Sequence, residues 1–139
     1  MKIKDVMTAD PRIAAPDQTI RAAAEMMEQA DSGVLPVGEN DRLVGMITDR
    51  DIAVRGVAQG LGPDTAIRDV MTREVKYCFE DEELDSVADN MSDLKVRRLP
   101  VLNREKRLVG MLSIGDFASH SAAQEAVEGV TRPGQPHAT

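Results

Sequence analysis

The chain has 139 residues, 42% hydrophobic and 29% charged, with no Trp, only 2% aromatics and a formal net charge of −7. That composition suits one compact body with an aliphatic core. The charge and the scarcity of rings exclude a basic stripe or a stacking platform for nucleic acid, and an electrostatic anchor on anionic lipid. No stretch approaches the roughly 20 apolar residues of a membrane span, the N-terminus lacks the apolar run of a signal peptide, and the single Cys78 excludes an intrachain disulfide. A cytoplasmic, reducing setting is expected.

Taken in order, residues 3–8 (Ile-Lys-Asp-Val-Met-Thr) are a short amphipathic lead-in. Residues 11–15 can be extended, closed by Pro16. Asp17 is the expected N-cap of a helix whose face is Ile20, Ala23, Ala24, Met27 and Ala30, with Gly33 placed to stop it. Val34-Leu35-Pro36-Val37 reads as a short buried strand, confined by Pro36 to an edge or irregular position. Residues 38–41 (Gly-Glu-Asn-Asp) are turn chemistry, residues 43–47 the returning strand of a hairpin, and residues 49–57 a second helix.

The order then starts again. Residues 67–72 read Ile-Arg-Asp-Val-Met-Thr, Leu99-Pro100-Val101 repeats Leu35-Pro36-Val37, and residues 107–111 repeat Arg42 to Met46 as Arg-Leu-Val-Gly-Met. The offset grows from 64 to 65 across the hairpin loop. Residues 75–79 are expected to be extended, residues 82–94 helical on Leu84, Val87, Ala88 and Met91, residues 98–102 and 107–113 a hairpin, and residues 115–122 a last helix. The organisation reads as repeat 1 over 1–58, a Gly-rich linker over 59–66, repeat 2 over 67–122, and a disordered tail over 123–139. Each copy is marginal for burying its own core, so the two are expected to face each other across a pseudo-twofold with paired clefts between them.

The chemistry-bearing pattern lies where the last strand of each copy ends. Thr48-Asp49-Arg50-Asp51 and Ser113-Ile114-Gly115-Asp116 each place a hydroxyl three residues before an aspartate. A hydroxyl beside free backbone N–H groups can hold a phosphate, and a carboxylate one turn on can accept from a ribose diol. The same pattern also describes a helix N-cap with an acidic first turn. Asp17 and Asp81 are read as N-caps, and residues 80–83 (Glu-Asp-Glu-Glu) as a solvated helix start. The eight methionines are read as packing, Cys78 as buried and inert, and His120 and His137 as lacking metal partners. No Ser/His/Asp set, Cys/His pair or Walker-type loop points to an enzyme.

The series Asp-Val-Met-Thr, amphipathic helix, Leu-Pro-Val, Arg-Leu-Val-Gly-Met and hydroxyl-x-x-Asp, given twice over about 3–120, resembles the tandem CBS domain, the repeat named for cystathionine β-synthase. It is similar in particular to stand-alone bacterial CBS pairs of the hypoxic or stress-response kind. The resemblance implies an α/β (α+β) fold with each repeat β-α-β-β-α, and a regulatory rather than catalytic role. It implies an adenosine nucleotide (AMP, ADP, ATP or NAD type) as regulatory ligand and no covalent cofactor. By that resemblance Thr48 and Ser113 contact phosphate, Asp51 and Asp116 the ribose, and the surroundings of Leu35, Pro36, Leu99 and Pro100 hold adenine. The copies differ at Arg50 against Gly115, and at Gly33-Val34 against Arg97-Arg98. Arg50, Arg97 and Arg98 are therefore candidate phosphate contacts; the Thr48, Arg50 and Asp51 site is expected to be the stronger, with Arg97 or Arg98 reaching its phosphate across the pseudo-twofold. Arg97 and Arg98 can instead pair with Glu82, Asp89 or Asp93. A homodimer, through faces such as Ile52-Ala53 and Phe117-Ala118, and an unidentified effector protein complete the expectation. The alternative is a dimeric interaction protein that binds no nucleotide.

Overall fold

The structure is a computed structural model, described here over residues 1–94 and 97–113. The expected last helix, Asp116, Phe117, His120, His137 and the tail lie outside the described residues. The chain divides into two compact units that do not coincide with the two sequence copies. Over the described residues, one is formed by residues 12–75, and the other by residues 1–11 together with residues 76–94 and 97–113.

In the first unit, helix α1 (Ile20–Ala30) packs Ile20, Ala23 and Met27 inward, while Ala24 and Ala30 are exposed. Its N-cap is Thr19, whose hydroxyl accepts from the Ala22 N–H at 3.0 Å, and not Asp17 as expected. The cause is tertiary. Ile20 N–H donates to Thr65 and Ile67 N–H to Gln18, so residues 65–67 fix the chain where it enters the helix. The stop also differs from expectation. Asp31 takes the left-handed conformation (φ 50°), and the N–H of Ser32 closes on the Met27 carbonyl. Gly33 serves a different need, because a Cβ there would lie 2.6 Å from the Asp49 carboxylate.

Strands β2 (Val34–Glu39) and β3 (Arg42–Thr48) form the expected hairpin, with Asn40 and Asp41 at positive φ in its turn. Single bridges extend it on both sides, Ala14 to Val37 in parallel and Thr72 to Met46 in antiparallel. The second unit repeats this layout with longer pairings. Its sheet runs β1–β6–β5–β4, where β1 is Thr8–Ala9, β4 Cys78–Phe79, β5 Arg98–Leu102 and β6 Leu108–Ser113. Helix α2 (Leu84–Leu94) buries Leu84, Val87, Ala88 and Met91, the face its spacing predicts.

Each Asp-Val-Met-Thr lead-in therefore completes the core of the other copy. Ile3 is buried among Cys78, Leu84, Val87, Leu99 and Leu112, whereas Ile67, Val70 and Met71 are buried among Ala14, Ile20, Leu35 and Ile47. A sheet edge left open by the hairpin is covered in both cases, which removes a template for unwanted strand pairing.

The acidic run before α2 is not simply solvated. Asp81 receives Arg104 at 2.8 Å, Glu83 receives Lys2 at 2.8 Å, and the Glu82 carboxylate accepts the Phe79 N–H at 2.8 Å. Asp81 is thus the partner of an arginine from the hairpin loop rather than a helix cap. The Arg104 hydrogen bond holds its carboxyl below the usual range.

Candidate ligand site at the hairpin ends

Strand β3 ends at Thr48, and the chain turns at once into the helix the sequence predicts over 49–57; it is π-helical over Asp51–Gly56 and closes in a 3-10 turn, Val57–Gln59. Thr48 and Asp51 hold each other across it. The Asp51 N–H donates to Thr48 Oγ1 at 3.0 Å, and the Thr48 N–H donates to Asp51 Oδ2 at 3.0 Å. This is a capping box, in which each residue satisfies the other's backbone donor. A hydroxyl that accepts from an amide still carries a proton to donate, so the geometry is compatible with both readings of the motif. Thr48 and Asp51 are half-buried and Arg50 is exposed. Wide π turns of this kind are frequent at functional sites.

The second oxygen of Asp51, Oδ1, lies 3.8 Å from Arg55 Nε, and Arg55 Nη1 donates to the Met71 carbonyl at 3.2 Å. Arg55 was not among the residues singled out from the sequence. The available signal was its i,i+4 spacing from Asp51, which places the two side chains one helical turn apart.

In the second unit, β5 and β6 pair Arg98 with Ser113 and Leu99 with Leu112, just as β2 and β3 pair Val34 with Thr48 and Leu35 with Ile47. Residues directly opposite on neighbouring strands project to the same face. Arg98 and Ser113 therefore share a face at the strand end where the first unit has Val34 and Thr48. Arg97 precedes the strand and is exposed, while Arg98 is half-buried. Among the described residues no ion pair joins either arginine to Glu82 or Asp89. Asp93 has no described side chain, and Asp116 lies outside the described residues.

Leu35 and Leu99 are 2% and 6% exposed, and Pro36 and Pro100 are buried beside them. Leu99 borders a cavity of about 250 Å³ that is also lined by Lys76, Tyr77, Cys78, Val87 and Met91. Sequence reasoning had not placed a cavity on that side of β5. The Cys78 thiol is pushed up to about 12 by its burial, which keeps it a thiol at neutral pH.

A family model for the CBS domain matches residues 3–56 and again residues 67–123. The chain belongs to the CBS domain family. Hypoxic response protein 1 of Mycobacterium tuberculosis is 39% identical to this CBS pair over 119 residues, 84% of this chain and 82% of that protein. A crystal structure of Hypoxic Response Protein I with two coordinated zinc ions superposes with a TM-score of 0.77 at 35% identity, covering 86% of this chain and 98% of that one. The CBS domain pair of protein MJ0100, solved with 5′-methylthioadenosine and S-adenosyl-L-methionine, gives a TM-score of 0.73 at 32% identity over 86% and 94% of the two chains. The expected fold class, an α/β CBS pair akin to hypoxic-response proteins, is thereby confirmed. Among the described residues of this CBS pair, no group of three His, Cys, Asp or Glu side chains is placed to hold a metal ion. No helix among them is long and apolar enough to cross a membrane.

Proposed function

We propose that this CBS pair is a regulatory module that binds an adenosine nucleotide or a related adenosine derivative and passes the occupancy of its site to a partner protein by a change of conformation. The observation that carries the reading is the Thr48–Asp51 pair. A half-buried hydroxyl and carboxylate are locked to each other at the end of β3 by two 3.0 Å hydrogen bonds, in a chain whose 32%-identical relative was solved with two adenosine derivatives. Thr48 supplies a hydroxyl donor for phosphate or its equivalent, Arg50 a nearby cation, and Asp51 an acceptor for ribose hydroxyls. Ser113 and Asp116 form the corresponding pair of the second copy, Arg97 and Arg98 are further candidate phosphate contacts, and the environments of Leu35, Pro36, Leu99 and Pro100 face the base. The module is non-catalytic, acts as a homodimer, and works in the cytoplasm, a setting that its single buried thiol suits.

A ligand can shift such a module only by the difference in its affinity for two arrangements. Calorimetry and thermal melting with AMP, ATP, S-adenosyl-L-methionine and 5′-methylthioadenosine test the proposal. A ligand at 100 times its Kd adds about 2.7 kcal/mol of stability. Asp51→Asn keeps an acceptor for the Thr48 amide while removing the charge, so it separates ligand recognition from capping. Binding abolished in a variant that melts like the parent supports the reading. No binding of any of the four compounds to the parent protein refutes it. That outcome would favour the second reading, an interaction protein in which Thr48 and Asp51 only cap the turn.

A further inference from the structure

We infer that Arg55 is a positioning residue that ties the Asp51 carboxylate to the lead-in segment 67–72, so that occupation of Asp51 is felt at the Met71–Thr72 peptide. This rests on the proposed role of Asp51 in ligand binding and adds how that site would be read out. Six contacts close a ring within residues 12–75. Thr48 and Asp51 exchange two hydrogen bonds at 3.0 Å. Asp51 Oδ1 faces Arg55 Nε at 3.8 Å, and Arg55 Nη1 donates to the Met71 carbonyl at 3.2 Å. The same peptide group carries the Thr72 N–H, which donates to Met46 at 2.8 Å, and the Met46 N–H returns to Thr72 at 2.9 Å. Met46 is two residues upstream of Thr48 on β3, which completes the circuit.

The two ends of the ring differ in freedom. Met71 is 5% exposed and packed in the core, and backbone hydrogen bonds hold it on both sides. Arg55 is 54% exposed along its side chain and, among the described residues, is held by Asp51 and the Met71 carbonyl. A ligand hydroxyl that donates to Asp51 Oδ1 competes with the guanidinium for the same oxygen. Arg55 then loses one of its two tethers, and the polarisation it imposes on the Met71 carbonyl changes. Segment 67–72 is the lead-in of the second copy and continues through residues 73–75 into residues 76–79 of the other unit, so a signal placed there leaves the first unit through the main chain. At the position aligned with Arg55 the second copy has His120 in place of a guanidinium.

The test uses the full chain, with the Thr72 amide as reporter in NMR and hydrogen exchange. In the ligand-free parent, Asp51→Asn shifts the Thr72 amide resonance and changes its exchange rate about twofold, the scale of a partly exposed ion pair. In an Arg55→Met background, which keeps the aliphatic stem and removes the donor, Asp51→Asn leaves Thr72 unmoved. Arg55→Lys, which keeps the charge, restores part of the response. S-adenosyl-L-methionine or AMP added to the parent moves the same amide, and adding either to Arg55→Met binds without moving it. A Thr72 response to Asp51→Asn that is equal in both backgrounds, or absent in the parent, overturns the inference. Should none of the four adenosine compounds bind while the Asp51–Arg55–Thr72 response persists, the nucleotide reading fails and the linkage stands. Should a compound bind the parent without moving Thr72, the linkage fails and the nucleotide reading stands.

Discussion

Met71 and Gly45 occupy one another's space: a Cβ built on Gly45 would lie 2.9 Å from the Met71 sulfur and 2.7 Å from the Thr72 carbonyl oxygen. Gly110 stands in the same relation to Met7, with 2.5 Å to the sulfur and 2.9 Å to the Thr8 carbonyl oxygen. The two most conspicuous repeated motifs, Asp-Val-Met-Thr and Leu-Val-Gly-Met, are thus two sides of one contact made twice. Gly45→Ala should push the lead-in off β3 and destabilise the protein by about 1–3 kcal/mol, the range for overpacking a filled site. Gly110→Ala should do the same to the second unit. Urea denaturation of both variants checks this, and an unchanged midpoint in either would show that the sulfur moves aside without cost.

Ile67 belongs by sequence to the second copy and by packing to residues 12–75, where it is fully buried. Ile67→Ala should cost about 2–5 kcal/mol. The loss should be localised against the sequence repeat: amides of β2 and β3 lose protection from hydrogen exchange, while those of β5 and β6 keep theirs. Loss confined to residues after 76 would contradict the exchange of lead-ins.

Asp81 meets Arg104 in a two-oxygen contact, and Arg104 in turn lies 4.2 Å above the Phe79 ring. The guanidinium lowers the Asp81 pKa, so the sign follows directly. The contribution is present above the unfolded carboxylate value near about 3.9 and is lost as pH falls through the depressed folded value. Asp81→Asn should therefore lower stability at neutral pH and flatten its dependence on pH below about 4. High salt should narrow the difference, because both groups are exposed to solvent. A parent and variant that fall in parallel on acidification would place the acid sensitivity elsewhere.

For Cys78 the shift runs the other way. Burial pushes its pKa up to about 12 from an ordinary value of 9.0. Stability is full below the unfolded value, and declines as pH rises between the two, because only the unfolded chain gains the thiolate. Cys78→Ala should remove that alkaline decline. At pH 8 a thiol reagent should leave the folded protein unlabelled and label it promptly in urea. Rapid labelling of the native protein would mean that the adjoining cavity admits the reagent.

Much of the fold could be read from residue order alone, because it is written in local patterns. Leu84, Val87, Ala88 and Met91 fall on one helical face, and both hairpins are bracketed by turn residues. Errors arose where a distant segment decides. Thr19 displaces Asp17 as cap because residues 65–67 arrive there, and Asp81 leaves its capping role because Arg104 reaches it from the hairpin loop. The crossing of the lead-ins was invisible for the same reason: two copies of an identical motif give no sign of which hairpin each one covers. At the site, the Thr48–Asp51 spacing was legible as a recurring pair. The Arg55 link to Met71 was not, since it joins a surface residue to a backbone carbonyl 16 residues away.

The crossed lead-ins also set a timetable for synthesis. Among the described residues, the core around Ile20, Leu35, Ile47 and Ile67 is drawn from residues 12–75 alone, so it can close once residue 75 is free of the ribosome. The lead-in that contains Ile3 has no hairpin to cover until β6 has been translated, more than a hundred residues later. This lead-in, with its apolar side, therefore waits through most of the synthesis of residues 12–113 before it finds its place.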